Sequence, residues 1–258
     1  MSGIPASTAR RTPPSSSAFT RLLSALNDVH APASNDAFAE RLSHWFGWTD
    51  AISLSAALDT PAAHTPPAFA SAQAPASAEE RELARVKATL AKAIATAASA
   101  GEPARIQRPI AQTAAPPDRP IEFAPYRHAY ATTQQAIEIS VAPLRRRLRA
   151  SLISASPELA RLASLDAVME QVVGARERAL LATVPQWLER RFERLRQAHD
   201  AADAAPDATP SARRNPPPPW LATFHQDMRA LLHAELDLRL QPVEGLLAAL
   251  RDPSPVKP

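Results

Sequence analysis

The chain has 258 residues, with 5 glycines, 27 prolines and no cysteine, and 45% of it is apolar. Its closest glycines, Gly3 and Gly47, lie 44 positions apart. That excludes a P-loop, a dinucleotide fingerprint, a kinase Gly-rich loop and a Gly-flanked nucleophile elbow, which all need glycines within a few residues. A formal charge of +3, from 29 basic and 26 acidic residues, is a weak field beside that of a dedicated nucleic-acid binder. Without cysteine there are no disulfides, thiolate metal sites or thiol nucleophiles, and no apolar run approaches the length of a membrane span.

Taken in chain order, residues 1–16 read as a disordered tail on a cytoplasmic protein. Residues 17–59 read as an N-terminal helical unit. Phe19, Leu22, Leu23 and Leu26 form its first apolar stripe. Phe38, Leu42, Trp45 and Phe46 form a second, with Ser34 or Asn35 as cap and Gly47 as terminator. Ile52, Leu54 and Leu58 belong to a third helix, capped by Thr49 with Asp50 at its positive end.

Residues 60–77, 101–120 and 203–219 are rich in Ala, Pro, Ser and Thr and read as disordered linkers, the last ending in Pro216 to Pro219. Residues 78–100 form an amphipathic helix with a heptad-like seam of Leu83, Val86, Leu90, Ile94 and Ala97. Residues 121–202 read as a long helical hairpin. Ile137, Val141, Leu144, Leu148 and Leu152 mark its first arm, and Leu162, Leu165, Val168, Val172, Leu180, Val184, Leu188 and Leu195 its second. Ser156 and Pro157 start the second arm. Residues 220–251 form a C-terminal helix with apolar residues around more of its circumference than one packing stripe requires, and 252–258 are a tail.

Pro143, Pro185 and Pro242 fall inside these helices, where each costs roughly 3 kcal/mol and predicts a kink or a break. With no alternating β-branched pattern, the predicted fold is all-α. Long Pro-kinked antiparallel helices pack as a bundle or a coiled-coil-like pair, with the small N-terminal helical unit joined by disordered Pro/Ala-rich linkers.

The histidines show no zinc spacing, and glycine scarcity removes the backbone geometry of an oxyanion hole, so the expectation is a non-enzyme without metal or cofactor. Concentrated charge occurs in two arginine runs. Arg145, Arg146, Arg147 and Arg149 are the candidate phosphate or partner contact. The run from Arg190 to Arg196 is interleaved with Glu189 and Glu193, which can pair with it locally. A solvated helix face is the competing reading for both. Trp220, Phe224 and Trp187 are candidate interface anchors.

Three stretches, Trp48 to Leu58, Ala175 to Arg196 and Leu238 to Leu250 (which begins Leu-Arg-Leu-Gln-Pro-Val), resemble the bacterial family known as domain of unknown function 3348. That resemblance implies no activity, cofactor or catalytic residue. The family's genes neighbour those of OmpA-like and MotA/TolQ/ExbB-like membrane proteins, which implies an accessory role at an envelope complex. The sequence thus points to a non-enzymatic helical scaffold or adaptor with a protein partner, such as a membrane-complex component. Its alternative is weak nucleic-acid or anionic-surface binding through the first arginine run.

Overall fold

The computed structural model describes residues 18–27, 48–59, 73–99, 121–204 and 218–252. They form seven helices, α1 (Ala18–Asn27), α2 (Trp48–Asp59), α3 (Gln73–Ala98), α4 (Ala124–Ala155), α5 (Pro157–Leu181), α6 (Val184–Asp203) and α7 (Pro219–Arg251). No strand occurs among the described residues, so the fold is all-α. The predicted helix around Phe38 to Phe46, the terminal tails and most of each linker lie outside the described residues.

Apolar spacing decides which face of each helix turns inward. Leu83, Leu90, Ile94 and Ala97 of α3 are buried, as are Ile137, Val141, Leu144, Leu148 and Leu152 of α4. The two stripes face α7, which is buried around most of its circumference because α1, α3, α4, α5 and α6 all pack on it. Full burial of one such leucine or isoleucine stabilises by roughly 1.5–3 kcal/mol.

Side-chain pairings fix the helix directions. α4 and α7 run parallel, with Tyr126 opposite His225 and Tyr130 opposite Glu235. α3 runs antiparallel to α7, pairing Lys87 with Glu244 at 2.5 Å and Glu80 with Arg251 at 3.0 Å. α5 and α6 return along α4, where Asp166 meets Arg145, Leu181 meets Gln134 and Glu189 meets Arg127.

The predicted hairpin therefore has three segments. α4 ends at Ser156, whose hydroxyl accepts the Leu159 amide at 3.2 Å, with Pro157 opening α5 where its missing N–H costs nothing. The return arm breaks again at Ala182 and Thr183, and Pro185 falls in the first turn of α6. Pro143 and Pro242 interrupt nothing, because α4 and α7 continue through them. At the end of α5, Leu181 is buried, whereas Leu180, assigned to the apolar stripe from spacing, is 59% exposed.

The N-terminal helices pack separately. α1 lies on α6 and α7 through Phe19 and Leu26, and Arg194 donates to the Leu26 carbonyl. α2 lies instead on α5. Among the described residues, the principal contacts of both helices are with the bundle. α3 also begins at Gln73, within the stretch predicted as linker.

Gly245 lies inside α7 on its exposed side, and a Cβ added there would meet nothing within 4 Å. Gly245→Ala should therefore stabilise the protein by about 0.5–1 kcal/mol, through lower unfolded-state entropy and better helix propensity. Urea denaturation checks this: an unchanged or lowered midpoint would contradict it.

Candidate functional site

The first arginine run lies on α4 at helical spacing, so its members point in different directions. Arg145 and Arg149, one turn apart, face α5. The guanidinium of Arg145 donates to both oxygens of Asp166, at 2.9 and 2.6 Å, and lies 3.7 Å from Glu170. Arg149 donates to the same Asp166 at 3.3 Å and forms an ion pair with Glu170 at 2.6 Å. The two arginine side chains are only 14% and 13% exposed. Burial opposes the Arg145 charge, but the hydrogen bonds and charges of Asp166, with Glu170 and Glu177 beyond it, more than offset this and hold its pKa above the usual value. Arg147 points to the other flank, where it meets the buried Glu79 of α3 at 2.9 Å. Arg146 points outward and is exposed, with no ion-pair partner among the described residues.

These placements correct the reading of the run as a solvated face. Arg145 and Arg149 are mostly buried ties from α4 to α5, Arg147 is half exposed while tied to α3, and Arg146 faces solvent. The second run is used similarly. Arg191 crosses to Asp227 of α7 at 2.9 Å, Arg196 pairs with Glu193 at 2.7 Å, and Arg190 lies 5.3 Å from the centre of the half-buried Trp187 ring.

A second polar cluster is enclosed between α4 and α7. Glu235 is fully buried. It accepts from Tyr130 Oη at 3.0 Å and Gln134 Nε2 at 2.9 Å, and pairs with Arg239, one turn along α7, at 3.2 Å. Gln134 also donates to the Leu181 carbonyl at 3.1 Å, joining the end of α5 to the cluster. Burial raises the Glu235 pKa above its usual value, while the Gln134, Arg239 and Tyr130 contacts favour the charged form. The same burial, reinforced by the Glu235 charge, raises that of Tyr130 well above normal.

The sequence profile of a family described as "Protein of unknown function (DUF3348)" matches residues 6–252. The chain belongs to that family. No curated protein and no solved structure matches it. The segments that carry the resemblance occupy distinct places in this DUF3348 protein: α2, the α5–α6 junction, and the second half of α7. Arg239, in the Leu-Arg-Leu-Gln-Pro-Val stretch, is the cation that holds Glu235.

Two of the three predicted anchors belong to the core. Phe224 is fully buried and Trp220 nearly so, in a cluster with Phe123, Tyr126 and Phe192. Phe192 contacts Phe224 and Trp220 edge-on, with ring centres 5.1 Å apart in each pair. They therefore anchor α7 to α4 and α6 within the chain. Spacing did not single out the Glu235 cluster. Its signal is an acid on the apolar stripe that includes Met228, Leu231 and Leu232, followed four residues later by an arginine. Among the described residues no three His, Asp or Glu side chains converge as a metal site needs, and no helix is long and apolar enough to cross a membrane.

Arg145→Gln or Arg149→Gln leaves Asp166 and Glu170 with an unmatched charge at a mostly buried position. Each should cost about 2–3 kcal/mol in denaturant unfolding. Arg146→Gln should stay within about 0.5 kcal/mol of the parent. Equal, small effects at all three positions would return the run to the surface.

Glu235 gives a pH signature. Its folded pKa is raised, so the folded state holds its proton more tightly than the unfolded chain, and its contribution is most favourable when protonated. Stability from this group is present below the ordinary carboxyl value of 4.5 and is lost as pH rises through the higher folded value. The stability of the parent relative to Glu235→Gln should therefore fall as pH rises above 4.5, then level off. Parallel pH curves for the two proteins would contradict this.

Proposed function

We propose that this DUF3348 protein is a non-enzymatic helical scaffold or adaptor whose charged side chains hold its helices to one another and whose ligand is a protein. The observation that carries this reading is the shared pairing of Arg145 and Arg149 with Asp166 and Glu170. Both guanidiniums are already neutralised by these carboxylates and are only 14% and 13% exposed, so an incoming phosphate has little access to them. An incoming phosphate would also add negative charge beside those two acids, an arrangement that Coulomb repulsion opposes. The concentrated positive charge thus favours structure over a nucleic-acid or anionic-lipid ligand. An accessory role at a membrane complex, as the family resemblance implies, fits an adaptor of this kind.

The test pairs two measurements on the full chain. Titration against a generic DNA duplex and against anionic phospholipid vesicles should show no saturable binding at physiological salt. Affinity capture from native lysate should retain a defined protein in a fixed ratio after nuclease treatment. Duplex or vesicle binding at about 10⁻⁶ M that weakens steeply with salt would overturn the reading in favour of a phosphate ligand.

A further inference from the structure

Among the described residues, α4 is enclosed on three sides, by α3, α7 and α5, and open on the fourth. Its open stripe runs through Gln135, Ile139, Pro143, Arg146, Ala150 and Ile153, and it is unusually apolar for an outward helix face. Ile139 and Ile153 are 64% and 59% exposed. Glu138, Ala142 and Arg146 line one shallow concavity on this face, together with Ile139 and Pro143. The small Ala142 thus lies midway between an acid four residues before it and a base four residues after it.

That arrangement is self-complementary. We infer that the outer face of α4 is a dimerisation surface whose occupant is the α4 of a second copy of this chain, related by a two-fold axis at Ala142. In an antiparallel copy centred there, Arg146 of each chain lies level with Glu138 of the other, so one ion pair forms twice by symmetry. Ile153 then lies over Ala131, and alanine at the axis permits close approach of the helices. Glu138 can take a new cation: its side chain is 44% exposed, and its existing contacts, with Arg178 and Arg239, are long at 3.8 and 3.9 Å. Arg146 has no acid from its own chain among the described residues.

Size sets the strength. The face from Ala131 to Ile153 is about 33 Å long at 1.5 Å per residue and about 10 Å wide, below the roughly 800 Å² per partner of a standard stable interface. The dimer therefore falls below the size of a standard stable interface and is weak.

This inference extends the scaffold reading by naming one contact face, and the two fail separately: a monomeric chain removes the dimer without touching lysate capture. Sedimentation of the full 27.7 kDa chain over a concentration series should show a reversible monomer–dimer equilibrium. Arg146→Glu places Glu138 against a second glutamate and should weaken self-association at least about tenfold. Glu138→Arg should do the same, while an equimolar mixture of the two variants should regain the dimer, since both cross-pairs are then opposite in charge. Should Glu138→Arg fail to fold, Ala142→Cys serves, because the chain has no other cysteine. Under mild diamide oxidation it should form a covalent dimer much faster than Ala222→Cys, on the exposed side of α7. A monomer at every concentration, no recovery on mixing two folded variants, or equal cross-linking at positions 142 and 222 would overturn the inference.

Discussion

A carboxylate with no exposure to water is the costliest group to hold in this fold, and Glu235 is such a group. It is tolerable only while Tyr130 and Gln134 of α4 and Arg239 of α7 all point at it. That requirement fixes how α7 lies along α4. Tyr130 and Gln134 are one turn apart, so sliding either helix by one turn would take at least one of them out of reach and leave the buried acid short of a partner, a costly error. Apolar packing between two leucine-rich helices tolerates such a slip far better, because one leucine fills the place of another. The polar cluster therefore supplies register, and the leucines supply most of the stability. Gln134 extends the constraint to the return arm by binding the Leu181 carbonyl where α5 ends.

The arginines of α4 solve a related problem at the helix's other end. α5 buries few side chains of its own, chiefly Leu159, Ala163 and Leu181, so apolar contact alone holds it loosely. Asp166 and Glu170, one turn apart, face Arg145 and Arg149, also one turn apart, and the four charges interlock across the antiparallel pair. A network of this kind is worth more than the same pairs isolated at a surface, because each acid restrains two bases and water is largely excluded. Arg147 adds the opposite flank through Glu79, so one short run of the sequence ties α4 to both α3 and α5.

Much of the architecture was legible because it depends on helical periodicity. The five apolar positions from Ile137 to Leu152 that spacing placed on one face are all buried, and Ser156 caps α5 through the hydroxyl expected to do so. What spacing could not supply was the partner of each charge. Whether Arg145 faces water or Asp166 depends on how α5 returns, a relation between residues 21 positions apart that no local window contains. The same limit applies to Trp220 and Phe224. Large aromatics at the start of a helix after a proline-rich stretch look like anchors for an outside partner, and the cluster with Phe192 that encloses them is visible only in three dimensions. Leu180 was misassigned for a different reason. The inward line of α5 runs through Leu159, Ala163, Asp166, Glu170 and Leu181, and Leu180 lies one position off that line.

α4 departs from an ordinary amphipathic helix on either side of its buried stripe from Ile137 to Leu152. α4 carries its polar and charged contacts, at Tyr130, Gln134, Arg145, Arg147 and Arg149, toward the other helices of the chain. Toward the outside it turns Ile139, Pro143, Ala150 and Ile153. Pro143 belongs to this pattern. Lacking an N–H, it cannot donate to the Ile139 carbonyl, and on the open side of the helix that carbonyl can be hydrated at little cost. The same proline on the inner face would strand a buried acceptor. An interior that needs specific polar partners and an exterior that does not make α4 rigid within its own chain and permissive in what it contacts beyond it. A phosphate site would need Arg145 and Arg149 turned outward, whereas both point into the bundle, and the outward apolar side chains fit the adaptor role proposed above.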